Sequence, residues 1–505
     1  MRSIDAPSGA SYEEKIPPFQ KFLDKRGKCL YDVCIRTIER LRTQGGIPVK
    51  KLLNRIFVSD KAWYKMMLSI AIPMSLQALI TFSVNLIDTI MLGRVGEVAL
   101  SASSLGSTFF MIISVISMGI GCGSSVITAQ YWGKGEAEPI RQTAAISLKI
   151  CTVIALLFSV VTIAIPDRIM SIYSTDPDVI AAGAKYLRIL AFSFTLSSLS
   201  TVITALLRSV NIVKVSLYAS IGSCLVNVFF NYIFIFGKLG LPAMGVAGAA
   251  LGTVIARVFE LGFNGVYFFK LDTRISFRFR HLRGWNRAIL RTFCSVSLPV
   301  VVSDLIMVLG GNLIAVIIGH IGTVMTAANA IAATVSNVVT NLFFGLSSAA
   351  TILTGNTIGA GRKEDAYLQG KTYYALALLV GAVGGIILYL LQDPIISIYK
   401  VSGETREYTA QMCTVLCCMM PLLLLDHLLT KGTLRGGGDT KFLMFADTAF
   451  AYLVAAPLGA LSAFVFHAPV WVIYLCLKSD YICKTILCSW RFFSKKWIKD
   501  VTVQS

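Results

Sequence analysis

From Met66 onward the chain alternates long apolar runs with short polar segments. A helix needs ~20 apolar residues to cross the hydrocarbon of a bilayer. Twelve runs meet that length: 66 to 92, 104 to 130, 142 to 166, 185 to 209, 214 to 236, 244 to 270, 289 to 318, 326 to 354, 371 to 391, 408 to 432, 441 to 464 and 467 to 491. The pattern predicts an all-α polytopic membrane protein with twelve transmembrane helices. Before the first run the pattern changes. Leu30, Val33, Cys34, Ile38 and Leu41 recur at helical spacing, and Val49, Leu52, Leu53, Ile56 and Phe57 do so again beside Lys50, Lys51 and Arg55. Residues 1–60 therefore read as a basic arm, either amphipathic helices lying on the inner leaflet or a partly disordered tail. No apolar run lies early enough to serve as a cleaved signal.

The apolar pattern also repeats. Shifting the chain by 226 positions places Pro73 on Pro299, Gly93 on Gly319, Gly96 on Gly322, Gly119 on Gly345, Gly133 on Gly359, Gly135 on Gly361 and Glu138 on Glu364. The same shift brings Ser171, Ile172 and Tyr173 onto Ser397, Ile398 and Tyr399. Each half holds six spans, an even number. The halves therefore enter the membrane from the same side and form a parallel repeat, two six-helix lobes related by an axis along the membrane normal. The expected organisation is an arm (1–60), an N-terminal lobe (61–270), an inter-lobe loop (271–288), a C-terminal lobe (289–491) and a tail (492–505). Two such lobes suggest a carrier with its substrate path between them.

Composition agrees, since 55% of the 505 residues are hydrophobic and only 14% charged, against about a quarter charged in soluble chains. The net charge of +19 reads as a topology signal, because Lys and Arg accumulate in short cytoplasmic loops. The segment after the sixth span, the inter-lobe loop with its flanks, has Lys270, Arg274, Arg278, Arg280, Arg283, Arg287 and Arg291 against one acid, Asp272. Placing it in the cytoplasm puts both termini there too. The loops with Lys134 and Arg141, Arg208 and Lys214, Arg362 and Lys363, and Arg435 and Lys441 fall on the same side. Lys238 and Arg406 fall on the other. Anionic lipid headgroups are the expected partner of this charge, rather than nucleic acid.

Several segments resemble the multidrug and toxic compound extrusion (MATE) family: IPMSLQALITFSVNLIDTIMLGRVG, ITAQYWGKGEAE, NVFFNYIFIFG with GVAGAALGTVIAR, the stretch from ANAIAATVSN to GAGRKEDA, and TLRGGGDTK. The resemblance covers about residues 60 to 497. It implies two six-helix lobes around a V-shaped cavity, and antiport that exports mostly cationic organic compounds across the plasma membrane against H⁺ or Na⁺, by a chain that is a monomer and uses no other cofactor.

An ionisable group inside a membrane span usually faces a bundle interior or an aqueous path. Asp88 is such a group, in the first span, with Asn85 one turn earlier. The resemblance makes Asp88 the proton- or cation-responsive residue and adds Asn227, Asn231 and Thr253. The family has an Asp where Asn231 stands, which leaves Asp88 as the one carboxylate of that site. A Na⁺ site would draw on all of these oxygens, whereas proton coupling needs only Asp88, and H⁺ is favoured. The repeat sets Asp88 opposite Ile314 and Asp304 opposite Ala78. Asp304, with Gln77, Asp426 and Asp447, is a candidate for the substrate cavity, although Asp426 and Asp447 read equally well as structural or interfacial. His320, His427 and His467 read as packing or interface residues rather than ligands. Pro73 and Pro299 each remove a helix hydrogen bond and permit bending.

Enzyme readings find little. Gly436, Gly438 and Asp439 have the GxGD spacing of intramembrane aspartyl proteases, but Asp439 falls at a helix end without a second Asp beside it. No GxxxxGK[ST] or HExxH occurs. None of the 12 cysteines forms a CxxC pair, and no resident metal is expected. The rival to drug export is a lipid-linked oligosaccharide flippase of a related two-lobe family. That function calls for several Arg residues lining the cavity, of which Arg257 is the one evident example.

Overall fold

The computed structural model describes residues 55–399 and 401–502, so the apolar stripes of the arm lie outside the described residues, except for Arg55, Ile56 and Phe57. Everything below belongs to one compact unit, Val58–Ser505. Eleven helices among the described residues are long and apolar enough to cross a membrane: α1 Lys61–Gly93, α2 Glu97–Lys134, α3 Ala137–Ala164, α4 Pro177–Ser209, α5 Lys214–Phe236, α6 Val246–Leu271, α7 Arg287–Ile321, α8 Thr323–Gly359, α9 Lys363–Ser397, α10 Gly403–Gly436 and α11 Thr440–Val465. The twelfth, α12, is broken. It runs as Val470–Leu477 and Ser479–Phe493, with Lys478 between them, where the apolar pattern predicts one continuous span.

The repeat seen in the apolar pattern is present in local structure. Asp60 caps α1 by accepting from the Ala62 amide, and its mate Asn286 caps α7 by accepting from Ala288 and Ile289. Asp176 and Ser402, also mates, cap α4 and α10. Each cap satisfies an amide that the first helical turn leaves unpaired. Gly135 and Gly361 follow α2 and α8 with φ of 79° and 78°, a left-handed conformation that favours glycine. The outer faces match too. Val153, Leu157 and Val160 of α3 are exposed, as are their mates Leu379, Val383 and Ile386 of α9, which gives both lobes an apolar stripe suited to lipid.

Within each lobe the mate helices pair alike: α2 packs on α4 and α1 on α5, as α8 packs on α10 and α7 on α11. The lobes meet through α1 with α8, α2 with α7, and α2 with α8. Glycines make this contact possible and do so reciprocally. Gly119 of α2 lies against the backbone of Val301 in α7, while Gly345 of α8 lies against Ala71 and Ser75 of α1. Ser75 and Val301 are themselves mates under the 226-residue shift. Nearer the basic end, Gly133 abuts the Asn356 carbonyl and Gly359 the Gln130 carbonyl, another mate pair.

Two polar segments close the basic end. In the inter-lobe segment the buried Asp272 carboxylate accepts from the amides of Arg274, Ile275 and Ser276, and Arg274 donates to the Val210 carbonyl. Phe277 inserts into the N-terminal-lobe core. Arg141, Arg274 and Arg278 are thus spent partly on backbone carbonyls. The tail crosses between lobes. Trp497 is fully buried and stacks on Phe492, and the Lys499 amide donates to Gly437 of the C-terminal lobe. Gln130 of α2 then donates to the Lys499 carbonyl at 3.0 Å and accepts from the Val501 amide at 2.9 Å. Lys134 pairs with Asp500 at 3.2 Å.

Because a Cβ at position 345 would meet the α1 backbone, Gly345→Val is expected to lower stability by about 1–3 kcal/mol. Gly311→Ala, at a glycine with open space around it, is expected to be neutral or slightly stabilising. Thermal melting of the two purified variants checks both expectations.

Candidate functional site

Asp88 sits in the second half of α1, half-buried against α5. Asn231 is fully buried, and its Nδ2 donates to Asp88 Oδ1 at 2.6 Å and to Asn227 Oδ1 at 3.2 Å. Asn227 Nδ2 in turn points at Thr253 Oγ1, 3.5 Å away on α6, and the Thr253 hydroxyl donates to the Ala249 carbonyl. Asn227 and Asn231 are four residues apart and share one face of α5, which is why both reach the site. Gly252 on α6 leaves space for the Asn231 side chain, whose Oδ1 is buried without a partner.

Four of the five residues expected at this site therefore form one chain of contacts from α1 through α5 to α6. Asn85 does not join it by its side chain. It is exposed, and its backbone carbonyl accepts from Thr89. The one hydrogen-bond partner of the Asp88 carboxylate among the described residues is a neutral amide. The Arg257 guanidinium of α6 is bound to Glu260 at 2.5 Å.

The C-terminal lobe treats its acids differently. Asp304 is buried on α7, and its Oδ1 takes Lys431 at 2.6 Å and Arg435 at 3.2 Å. Lys431 lies in a π-helical turn, Leu429–Thr433, that interrupts α10; such turns often occur at functional positions. Asp447 on α11 accepts from Ser303 at 2.5 Å and pairs with Lys484 of α12 at 3.2 Å. The same ammonium reaches Asp426 of α10 at 3.3 Å. Asp304 is thus matched by two cations, while Asp426 and Asp447 share the one ammonium of Lys484. Gln77 is half-buried on α1, its carbonyl accepting from Thr81, and it stands apart from this network.

Three basic residues escaped the sequence reading. Arg435 counts there as a loop charge, yet it is buried in the last turn of α10. Lys431 closes the tenth span, where a lysine usually reaches the interface. Lys484 stands in the middle of the twelfth span, four residues after Asp480, and that i, i+4 pair inside an apolar run was the signal available. Asp439 is fully buried and held by Arg491 at 2.6 Å and Lys499 at 2.5 Å, so it ties the tail to the α10–α11 turn.

The MatE family matches residues 73–233 and 299–461, two stretches whose starts, Pro73 and Pro299, are separated by the repeat interval. The chain belongs to the MatE family. Its relatives in that family include a probable multidrug resistance protein NorM of Thermotoga maritima, 25% identical over 443 residues, which are 86% of this chain and 93% of that protein. The multidrug resistance protein PmpM of Pseudomonas aeruginosa is 25% identical over 403 residues, 79% of this chain and 84% of PmpM. A MATE crystal structure in complex with MaD3S superposes with a TM-score of 0.77 at 20% identity, covering 86% of this chain and 97% of that one. A MOP superfamily transporter from Pyrococcus furiosus, described as having a binding pocket of reverse polarity, superposes equally well at 19% identity and the same coverage. This MatE chain thus has the two-lobe fold of multi-pass membrane transporters, and the broken α12 counts as its twelfth helix.

The Asp304 pairing in this MatE protein is testable by itself. Arg435→Leu leaves a buried carboxylate with one cation, and is expected to destabilise by roughly 3 kcal/mol or more; Arg435→Leu with Asp304→Leu should recover a large part of that loss. Thermal unfolding of the single and double variants measures the coupling.

Proposed function

We propose that the protein is a secondary antiporter that exports organic cations by alternating access, coupled through Asp88 to an inward flux of H⁺. The observation that carries this reading is the contrast between lobes: Asp304 holds two internal cations and Asp426 and Asp447 share a third, whereas Asp88 is bonded to an uncharged amide. A half-buried carboxylate without a countercharge exchanges its proton for a cation more readily than one in an ion pair. Export then follows from competition. Protonation of Asp88 from outside releases a cationic compound, and loss of that proton to the cytoplasm readies the site for the next one. The Asn231 amide nitrogen orients the carboxylate by donating to it, and the side-chain oxygens of Asn227, Asn231 and Thr253 would also suit Na⁺.

Multidrug resistance names among the relatives support a drug-like substrate class. A flippase for lipid-linked oligosaccharide draws no support from the charges, since Arg257, Lys431 and Arg435 each have a carboxylate partner. We place the basic end in the cytoplasm of a plasma-membrane protein. The contact of α1 with α8 and α2 with α7 then closes the inner side and corresponds to an outward-facing state. A cysteine introduced by Arg280→Cys, at an exposed position of the inter-lobe segment, should label only from the cytoplasmic side.

The decisive experiment is uptake of a fluorescent organic cation into proteoliposomes, with pH and Na⁺ gradients imposed separately. The pH gradient should drive wild type, and Asp88→Asn should assemble normally but lose gradient-driven uptake. Full transport by Asp88→Asn would remove Asp88 from the mechanism, and a response to Na⁺ alone would replace the coupling ion. Asn231→Asp sets a second carboxyl within hydrogen-bonding distance of Asp88, so the pair must share a proton. Its export optimum should move to higher pH, or gain Na⁺ sensitivity, at unchanged protein level.

A further inference from the structure

Four groups from three helices converge on the Lys484 ammonium in the C-terminal lobe. Asp426 of α10 and Asp447 of α11 approach it at 3.3 and 3.2 Å, Asp480 of α12 lies at 4.0 Å, and the Tyr481 ring centroid lies at 5.4 Å. The Ser303 hydroxyl of α7 fixes the second oxygen of Asp447. Lys484, Asp426 and Asp447 are almost completely buried. Asp426 also keeps one buried oxygen, Oδ1, without any hydrogen-bond donor.

Carboxylates and a tyrosine face around one cation are the surroundings of a bound monovalent ion, because hard cations take oxygen ligands and ring faces attract positive charge. Three carboxylates surround a single positive charge, so electrostatics favours a cation at this point more strongly than one lysine requires. A lysine used for packing alone gains little here, since taking an ammonium out of water costs more than burying an apolar chain of that size.

We infer that Lys484 is the tethered cation of a cation site in the C-terminal lobe, a side chain that fills the position a free Na⁺ or K⁺ would take and so excludes such ions from this lobe. It is a specificity-determining residue. It supplies a permanent positive charge that Asp426 and Asp447 share, so that a free ion is not needed between them, whereas Asp88 has no such built-in cation among the described residues. This inference deepens the antiport reading given above and rests on it for its functional meaning, but the site itself is defined by the four groups around the ammonium.

The test is equilibrium binding of radiolabelled Na⁺ to purified protein, together with melting in NaCl against N-methyl-D-glucamine chloride at equal ionic strength. Lys484→Met empties the position and is expected to show saturable Na⁺ binding, about one ion per chain beyond wild type, with Na⁺ raising its melting temperature by roughly 2–4 °C. A companion variant, Lys484→Met with Asp426→Asn, removes one charge of each sign and so keeps the balance if the single change prevents folding. It should bind Na⁺ through Asp447 and Asp480 more weakly. Lys484→Arg should behave as wild type.

A folded variant of either kind without Na⁺-specific binding overturns the inference. So does failure of both to fold with and without Na⁺, since a residue that only occupies an ion site is dispensable once the charge is balanced. Asp88→Asn added to Lys484→Met must leave the new Na⁺ binding in place. Loss of binding in that combination would assign the ion to the N-terminal lobe and overturn the inference. Binding is read without transport, so a failure of Asp88 as the coupling residue appears only in the proteoliposome assay.

Discussion

A carboxylate inside a membrane bundle has to be matched with a cation, a proton or water, because the surrounding medium cannot stabilise it. That constraint organises both halves of this protein, and each half answers it differently. In the C-terminal lobe the answer is covalent: lysines and an arginine on α10 and α12 are built next to Asp304, Asp426 and Asp447. In the N-terminal lobe the partner is the amide of Asn231, which donates a hydrogen bond and brings no charge. One lobe therefore carries cations for these acids in its own side chains, and the other has none bonded to Asp88 among the described residues.

The two lobes reach this division from one architecture. Asp88 with Asn231 joins α1 to α5, and Ser303 with Asp447 joins the mate helices α7 and α11. The helix pair is the same, but the polar positions are out of register: Asp88 has Ile314 as its mate, and Asp304 has Ala78. What stayed in register is the packing chemistry. Gly119 and Gly345, and the caps Asp60 and Asn286, keep their places because a close backbone crossing and an unpaired first-turn amide admit few alternatives.

This difference explains what could be read from the chain alone. Apolar runs, glycines and caps act locally or at a fixed interval, so the spans, the two lobes and the repeat were legible. The cluster of Asp88, Asn227, Asn231 and Thr253 was legible through family resemblance, and the geometry unites those four. Asn85 has the right spacing, but its side chain lies outside the cluster. The basic partners of the C-terminal lobe were hidden for a physical reason. Lys431 and Arg435 fall where a span ends, and only the π-helical turn and the depth of α10 show that they remain inside. The break in α12 falls on the polar triplet Lys478, Ser479 and Asp480, a signal inside the apolar run that the reading of one continuous span passed over.

The tail that follows α12 has a mate in the segment that follows α6, and the two are used in opposite ways. The earlier segment is pinned to its own lobe by Arg274 and Phe277. The later one is stitched to the other lobe through Gln130 and Lys134. Parting the lobes at this end must break two backbone bonds to Gln130 and an ion pair, none of which has a counterpart at the opposite rim among the described residues. The two lobes are therefore clasped together on one side. Separating the lobes at this end costs interactions that separating them at the opposite rim does not, and residues 499–501 carry that difference.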